Sequence, residues 1–158
     1  MHGGPRLLWV VSAIGAGAAL LFGAMRPVAA AEGSEYIGAR RCKACHRAAY
    51  AQWRETPHAR AADALLEAER RDPRCAACHS TSVQDGLEGV QCESCHGPGR
   101  QYWPEFIMRD VGLAHAVGLQ SGGEPALCAG CHTADTPAVR PFDLATALDA
   151  VRHAREAR

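Results

Sequence analysis

All eight cysteines of the 158-residue chain fall in one repeated pattern, and that pattern decides what the chain can fold into. Cys42-Lys43-Ala44-Cys45-His46, Cys75-Ala76-Ala77-Cys78-His79, Cys92-Glu93-Ser94-Cys95-His96 and Cys128-Ala129-Gly130-Cys131-His132 are four copies of C-x-x-C-H. This is the attachment sequence of a c-type haem. The two thiols form thioethers with the two vinyl groups of one haem, and the adjacent histidine lies under the iron as proximal ligand. The spacing therefore assigns the eight cysteines to cofactor attachment and His46, His79, His96 and His132 to iron. Zinc sites also use C-x-x-C pairs, but they do not require a histidine directly after each second cysteine. A thioredoxin-like motif would occur once, near a βαβ pattern. Chance gives on the order of 0.02 copies of C-x-x-C-H in a chain of this cysteine content. No cysteine is left over for a disulfide. Four covalently bound c-type haems are the expected cofactors.

The haems also answer a problem of composition. Apolar residues make up 47%, which excludes a disordered tail, but only 6% are aromatic, which is thin for a self-sufficient core. Four haems are large apolar plates that fill such an interior, and the chain without them should fold poorly. Lys plus Arg and Asp plus Glu number 17 each, so no global charge points to nucleic acid. Residues 1–31 read as a secretory signal peptide. Arg6 precedes the apolar run Leu7–Ala24, and Ala29-Ala30-Ala31 supplies an A-x-A cleavage site. The alternative is an uncleaved membrane anchor, since about 18 apolar residues can span a bilayer. Export fits the motifs, because bacterial c-type haem attachment occurs outside the inner membrane. Residues 32–158 then form one tetrahaem domain. Losing Arg6 and Arg26 leaves fifteen basic against 17 acidic side chains. With two propionates per haem, the loaded protein should be acidic and its association with partners salt-sensitive, with a basic face on the partner.

The expected fold class is mainly α: a small multihaem cytochrome c domain of short helices and loops. Cys42–Arg54 reads as a haem-binding turn running into a helix with Tyr50 and Trp53. Thr56 is a candidate N-cap with Pro57 at the first helical position, opening a helix to about Arg71 that Pro73 ends. The short stretch holding Gly86 and Gly89 makes the second and third haems neighbours. Gly97-Pro98-Gly99 turns the chain after His96. A helix over Pro104–Val111, a loop over Gly118–Pro125 and a terminal helix capped by Asp143 and running through Arg158 follow. No strand alternation stands out.

The four proximal histidines leave His58, His115 and His153 beyond residue 31, three candidates for the sixth position of four irons. Either one haem is five-coordinate or another ligand completes it. Met108 is the one methionine after residue 31, and Met is an accepted axial ligand. His58 shares a helical face with Ala62 and Leu65, so it points inward. Met108, Val111 and His115 share a face if a helix survives Gly112, and either Met108 or His115 could reach the same iron. His153 lies opposite the apolar stripe of Leu144, Leu148 and Val151, and by periodicity alone reads as solvated. Tyr50, Trp53, Trp103 and Phe106 read as haem-packing residues, and Tyr102 is a further possible approach to iron. Arg40, Arg41, Lys43 and Arg47 surround the first motif, either as a solvated face or as a propionate or docking patch.

With these residues in view, the chain resembles the tetrahaem cytochrome c-554 family of periplasmic electron carriers. The match is carried by Gly38 through the first motif, by Trp53 followed by Thr56-Pro57-His58-Ala59, by Gly89-Val90-Gln91 running through the third motif to Gly97-Pro98-Gly99-Arg100, by the fourth motif, and by Phe142-Asp143 leading to His153. The resemblance implies three bis-histidine haems and one five-coordinate haem. It implies that His58 is a distal ligand to the third haem and His153 to the fourth, and that the second haem, at Cys75, Cys78 and His79, is open. The family's distal histidine shortly after Gly-Pro-Gly-Arg is missing. Tyr102, Trp103 and Phe106 occupy that stretch, so His115 substitutes at the first haem, with Met108 as its rival.

The expected function is a periplasmic tetrahaem cytochrome that carries electrons between a redox enzyme and a membrane quinone-linked cytochrome. The alternative is a small-molecule reductase acting on nitric oxide or nitrite at the open haem. No acid–base residue converges on the second motif in sequence, so an electron carrier is favoured over an enzyme. Redox proteins are the expected partners, nucleic acid is not, and membrane contact arises if the N-terminal segment stays attached.

Overall fold

The computed structural model describes Met1, residues 33–133 and residues 143–153. Apart from Met1, the signal or anchor segment over 1–31 lies outside the described residues, as do Pro137, Pro141 and residues 154–158. Among the described residues no helix is long and apolar enough to cross a membrane.

The architecture follows from the motifs. One helical turn puts residues i, i+3 and i+4 on a single face, so a helical C-x-x-C-H presents both thiols and the imidazole to the same side. Helix α1 (Ala39–Cys42) leads into the first motif and α2 (Arg47–Arg54) leaves it. Helix α3 (Pro73–His79) carries the second motif, and α4 (Cys92–His96) is the third. Two further short helices, α5 (Glu105–Met108) and α6 (Val111–Ala116), precede α7 (Pro125–Ala129), which opens the fourth motif. Helix α8 (Leu144–Val151) carries the chain toward His153. In the first and fourth motifs the histidine N–H closes the turn on the first cysteine's carbonyl at 2.9 Å, His46 on Cys42 and His132 on Cys128. Short helices need end caps, and aspartates supply them. Asp72, Asp110 and Asp143 accept the N–H of Arg74, Leu113 and Thr146 at 2.9, 3.0 and 2.9 Å.

Several expectations about elements are corrected. The helix from Pro57 to about Arg71 is instead a 3₁₀ segment, Pro57–Ala64, bent at Arg60, followed by a 3₁₀ turn, Glu69–Arg71. Its carbonyls are spent on distant partners: His58 O accepts Val90 N–H at 2.9 Å and Ala61 O meets His79 Nδ1 at 2.6 Å. Thr56 does not cap it, since its hydroxyl donates back to Trp53 O at 2.7 Å. A small antiparallel hairpin stands where no strand was expected, β1 (Ser80–Ser82) against β2 (Leu87–Glu88). Strands of this length carry no visible alternation. Finally, the helix over Pro104–Val111 ends at Met108, and Asp110 caps a separate α6. Met108 and His115 therefore lie on different helices. Helix α8 keeps its expected Asp143 cap and ends at Val151 rather than running through Arg158.

The core is small-residue throughout. The buried apolar side chains are Ala39, Ala62, Ala76, Ala114 and Tyr102 among the described residues, and no large side chain is fully enclosed. Trp103 is 46% and Phe106 73% exposed. A chain of this size normally encloses Leu, Ile and Phe. The protein's own side chains thus leave the central filling to something else.

Candidate haem sites

Two proximal histidines meet a spare histidine across a gap of the right width for iron. The ring centroids of His58 and His132 are 6.1 Å apart, and those of His96 and His153 are 5.8 Å apart. Two imidazoles bound to opposite sides of one metal, each by a bond of about 2 Å with the centroid about 1.1 Å further on, sit roughly 6 Å apart. Among the described residues no cluster of three or more His, Cys, Asp or Glu side chains assembles. Each pair would hold one metal between two imidazoles, which fits the iron of a haem attached by a C-x-x-C-H motif.

The ring neighbours differ from the ligand partners implied by resemblance. His58 is held near the third motif by its backbone, through Val90, but its ring turns to His132 of the fourth. His153, beyond the end of α8, reaches His96 of the third. The backbone carbonyl just before it, on Arg152, accepts from Gln52 Nε2 at 2.7 Å, which ties this end down. His153 is exposed, as its periodicity implied, and α8 stops two residues before it, which leaves its ring free to lie against His96.

Ligand histidines usually donate their second ring N–H to a carbonyl, which fixes the tautomer and frees Nε2. His79 Nδ1 lies 2.6 Å from Ala61 O, His96 Nδ1 3.0 Å from Gln120 O, and His115 Nδ1 2.6 Å from Leu119 O. Sequence reasoning missed these carbonyls, since any residue type supplies one. Gly122 adds a steric requirement, because a Cβ there would come within 2.9 Å of the His96 ring. His115 is exposed, and among the described residues no ring contact joins it to a proximal histidine. Tyr102 is committed elsewhere: its buried hydroxyl donates to Gly97 O at 2.6 Å. Burial, with Cys42, Glu93 and Cys92 nearby, pushes its ionisation upward.

Electrostatics favour neutral ligands. Burial lowers the His58 pKa, and the neighbouring His132 lowers it further. Burial likewise lowers His96; the Gln120 carbonyl opposes this, while His153 and His46 add to it. A neutral imidazole is the form that binds metal. None of the eight cysteines is in a disulfide. The Cys42 thiol is pushed up by its contact with the Cys92 thiol, by burial and by Glu93. The same contact lowers Cys92, so the pair shares one proton between the first and third motifs. Cys131 is pushed up to about 12 by burial and by Cys78. The thiol contacts join the first motif to the third and the second to the fourth. The expected neighbours, motifs two and three, are connected through the hairpin.

Glu93, the second residue of the third motif, is the feature that sequence reasoning left without a role. It is 3% exposed. Its Oε1 accepts from Ile37 N at 2.9 Å and Gly99 N at 2.7 Å, and its Oε2 from Gly38 N at 2.7 Å. Gln91 Oε1 takes the next amide, Ala39 N, at 2.7 Å. Three successive amides at the start of α1 are thus capped by side chains that flank the first cysteine of the third motif. A Cβ at residue 99 would lie 2.8 Å from Glu93 Oε1, so the second glycine of Gly97-Pro98-Gly99 leaves room for this carboxylate.

Paired imidazoles joined to C-x-x-C-H helices, around an interior without bulky side chains, define a c-type cytochrome, a protein of covalent haem and electron transport. Residues 41–97 match the model of the family described as cytochrome c554 and c-prime. The chain is also 31% identical over 120 residues to cytochrome c-554 of Nitrosomonas europaea, an alignment covering 59% of this chain and 51% of that protein. The chain is thus similar to the cytochrome c-554 family over part of its length, and it spans about half the length of the curated relative it matches. No solved structure matches it.

Proposed function

We propose that the chain is a periplasmic tetrahaem electron carrier working between a redox oxidoreductase and a membrane quinone-linked cytochrome. The observation that carries this reading is the two imidazole pairs at 6.1 and 5.8 Å, each with one member inside a C-x-x-C-H motif. Haem supplies a one-electron iron couple when bound. The chain supplies the eight thiols, the proximal ligands His46, His79, His96 and His132, and the distal ligands His58 at the fourth haem and His153 at the third. His115, with its Nδ1 tied to Leu119, keeps Nε2 available for the first haem, with Met108 as the alternative ligand there. His79, steered by Ala61, serves the second haem, whose distal side is open.

The test is the exported protein from a host with a c-type haem assembly system. Intact mass and a pyridine haemochrome assay should give four haems per chain, with haem retained through acid–acetone extraction. N-terminal sequencing should begin at Glu32. The oxidised protein should show three low-spin haems and one high-spin haem, and carbon monoxide should bind one reduced haem. Zinc in place of haem, or fewer than four haems, would refute the reading.

A further inference from the structure

We propose that the surface around the first C-x-x-C-H motif is the docking face for an acidic redox protein, an inference that rests on the tetrahaem reading. Between residues 40 and 60 stand six basic side chains, Arg40, Arg41, Lys43, Arg47, Arg54 and Arg60, and one acidic one, Glu55. The rest of residues 33–158 carries nine basic against fifteen acidic side chains. Near-neutral totals therefore hide a strong asymmetry, with its positive end on one motif.

The positive charges are unspent. None of the six forms an ion pair among the described residues, whereas Arg70, Arg71, Arg74 and Arg109 each hold a carboxylate. Arg41 stacks 5.2 Å from the Trp103 centroid, and Lys43 Nζ sits 5.2 Å from that of Tyr50. Such contacts fix a cation without neutralising it. Arg40, Arg54 and Arg60 border a cavity of about 340 Å³ that Tyr50 and Trp53 also line. Trp53 is anchored by its Nε1–H on Val90 O at 2.8 Å, so this wall is rigid. Exposed guanidinium groups beside a rigid aromatic wall are suited to receiving carboxylates from another surface.

The same place is where the attachment sites meet solvent. Cys45 is the one exposed cysteine of the eight. His46 is exposed, while His79, His96 and His132 are half-buried. Electron exchange between proteins requires a haem near the surface, and the face offering it is the positive one. The net acidity of the loaded protein would by itself call for a basic partner. The charge distribution instead turns an acidic partner toward the first haem, because steering follows the local field.

The test uses the oxidised holoprotein and flavodoxin hydroquinone, an acidic protein donor. One electron passes from the flavin hydroquinone anion to ferric haem, leaving the neutral semiquinone and ferrous haem, and no proton moves. The rate should fall as ionic strength rises, and the triple variant R40E/R54E/R60E should be slower by about tenfold or more. Electron transfer from the reduced protein to mitochondrial-type cytochrome c, a basic acceptor, should not be slowed by the same substitutions. A flavodoxin rate that is indifferent to salt, or equal in wild type and variant, would overturn the proposal. So would a shift in the variant's haem potentials, which would mean that these arginines serve the chain's own propionates. If the triple variant loads fewer than four haems, R40Q and R54Q are measured singly. Slowing toward flavodoxin alone supports the docking face, and no slowing overturns it. A wild-type protein without four haems would instead sink the underlying reading, which the haem count separates from this one.

Discussion

Glu93 shows how much one residue can hold. A buried carboxylate that accepts three N–H bonds is satisfied only while all three donors stay in place, and those donors would be orphaned by its removal. Each hydrogen bond to a charged acceptor contributes about 1.5–3 kcal/mol, and leaving buried donors unpaired adds a desolvation cost. Glu93→Ala should therefore destabilise the holoprotein by about 3–5 kcal/mol in chemical denaturation, among the larger single-residue effects. Glu93→Gln, which keeps the shape and one carbonyl oxygen, should cost less. A loss below about 0.5 kcal/mol for the alanine variant, the level of a neutral surface change, would mean the clamp is not formed. At this scale the sequence was legible where chemistry fixes spacing, as in the cysteines and the histidines that follow them. It was silent on Glu93, Gln120 and Ala61. A carboxylate inside a motif and two backbone carbonyls have no pattern until the chain brings distant segments together.

The elements are where expectation and structure part most, and for a consistent reason. Periodicity assumes that each carbonyl serves its own helix. In Pro57–Ala64 the carbonyls of His58 and Ala61 serve Val90 and His79 instead, so the segment tightens to 3₁₀ and bends at Arg60. The result delivers the His58 ring to His132, and α8 delivers His153 to His96. His58→Ala should then convert the fourth haem to high spin and open it to carbon monoxide, while His153→Ala should do so at the third. The assignment is checked by repeating each change in a chain lacking one attachment site. In C128A/C131A, His58→Ala should add no further high-spin signal, whereas His153→Ala still should. The reverse pattern would restore the pairing implied by resemblance. Acid provides a second check. Burial lowers the folded pKa of His58 and His96 below the ordinary histidine value near 6.5. The unfolded chain therefore takes up protons first as pH falls. Stability from these two groups is complete above about pH 6.5 and is lost as pH falls from there through the lowered folded values. Urea denaturation of the holoprotein should show a declining midpoint over this window. A midpoint that rises on acidification would contradict the burial of these rings.

For the whole molecule the deciding quantity is what fills the interior. The composition anticipated a deficit, with 6% aromatic residues, and the fold locates it: four alanines and Tyr102 form the buried apolar set among the described residues. Burying an alanine methyl removes little apolar surface compared with the roughly 1.5–3 kcal/mol of a buried Leu or Phe. Ordering each residue of backbone costs about 1–2 kcal/mol. A set of alanines cannot offset that cost over a domain of this length, and helices of four to eight residues are not stable by propensity alone. Asp72, Asp110 and Asp143 caps help each helix locally, but they do not join one helix to the next. What joins them is a shared attachment, since two thiols and an imidazole on one helix and a second imidazole on another can all be tied to one rigid plate. The chain expressed without haem attachment should therefore be largely unfolded. Its far-UV circular dichroism should lack most of the helical signal of the holoprotein, its amides should exchange without protection, and proteolysis should be rapid. Loss of a single attachment site should act locally. C75A/C78A should release α3 and the Ala61–His79 tie while leaving the His96–His153 site low-spin. If the haem-free chain instead shows a cooperative thermal transition with native helix content, the side chains alone suffice as a core, and the dependence of this fold on its cofactor is refuted.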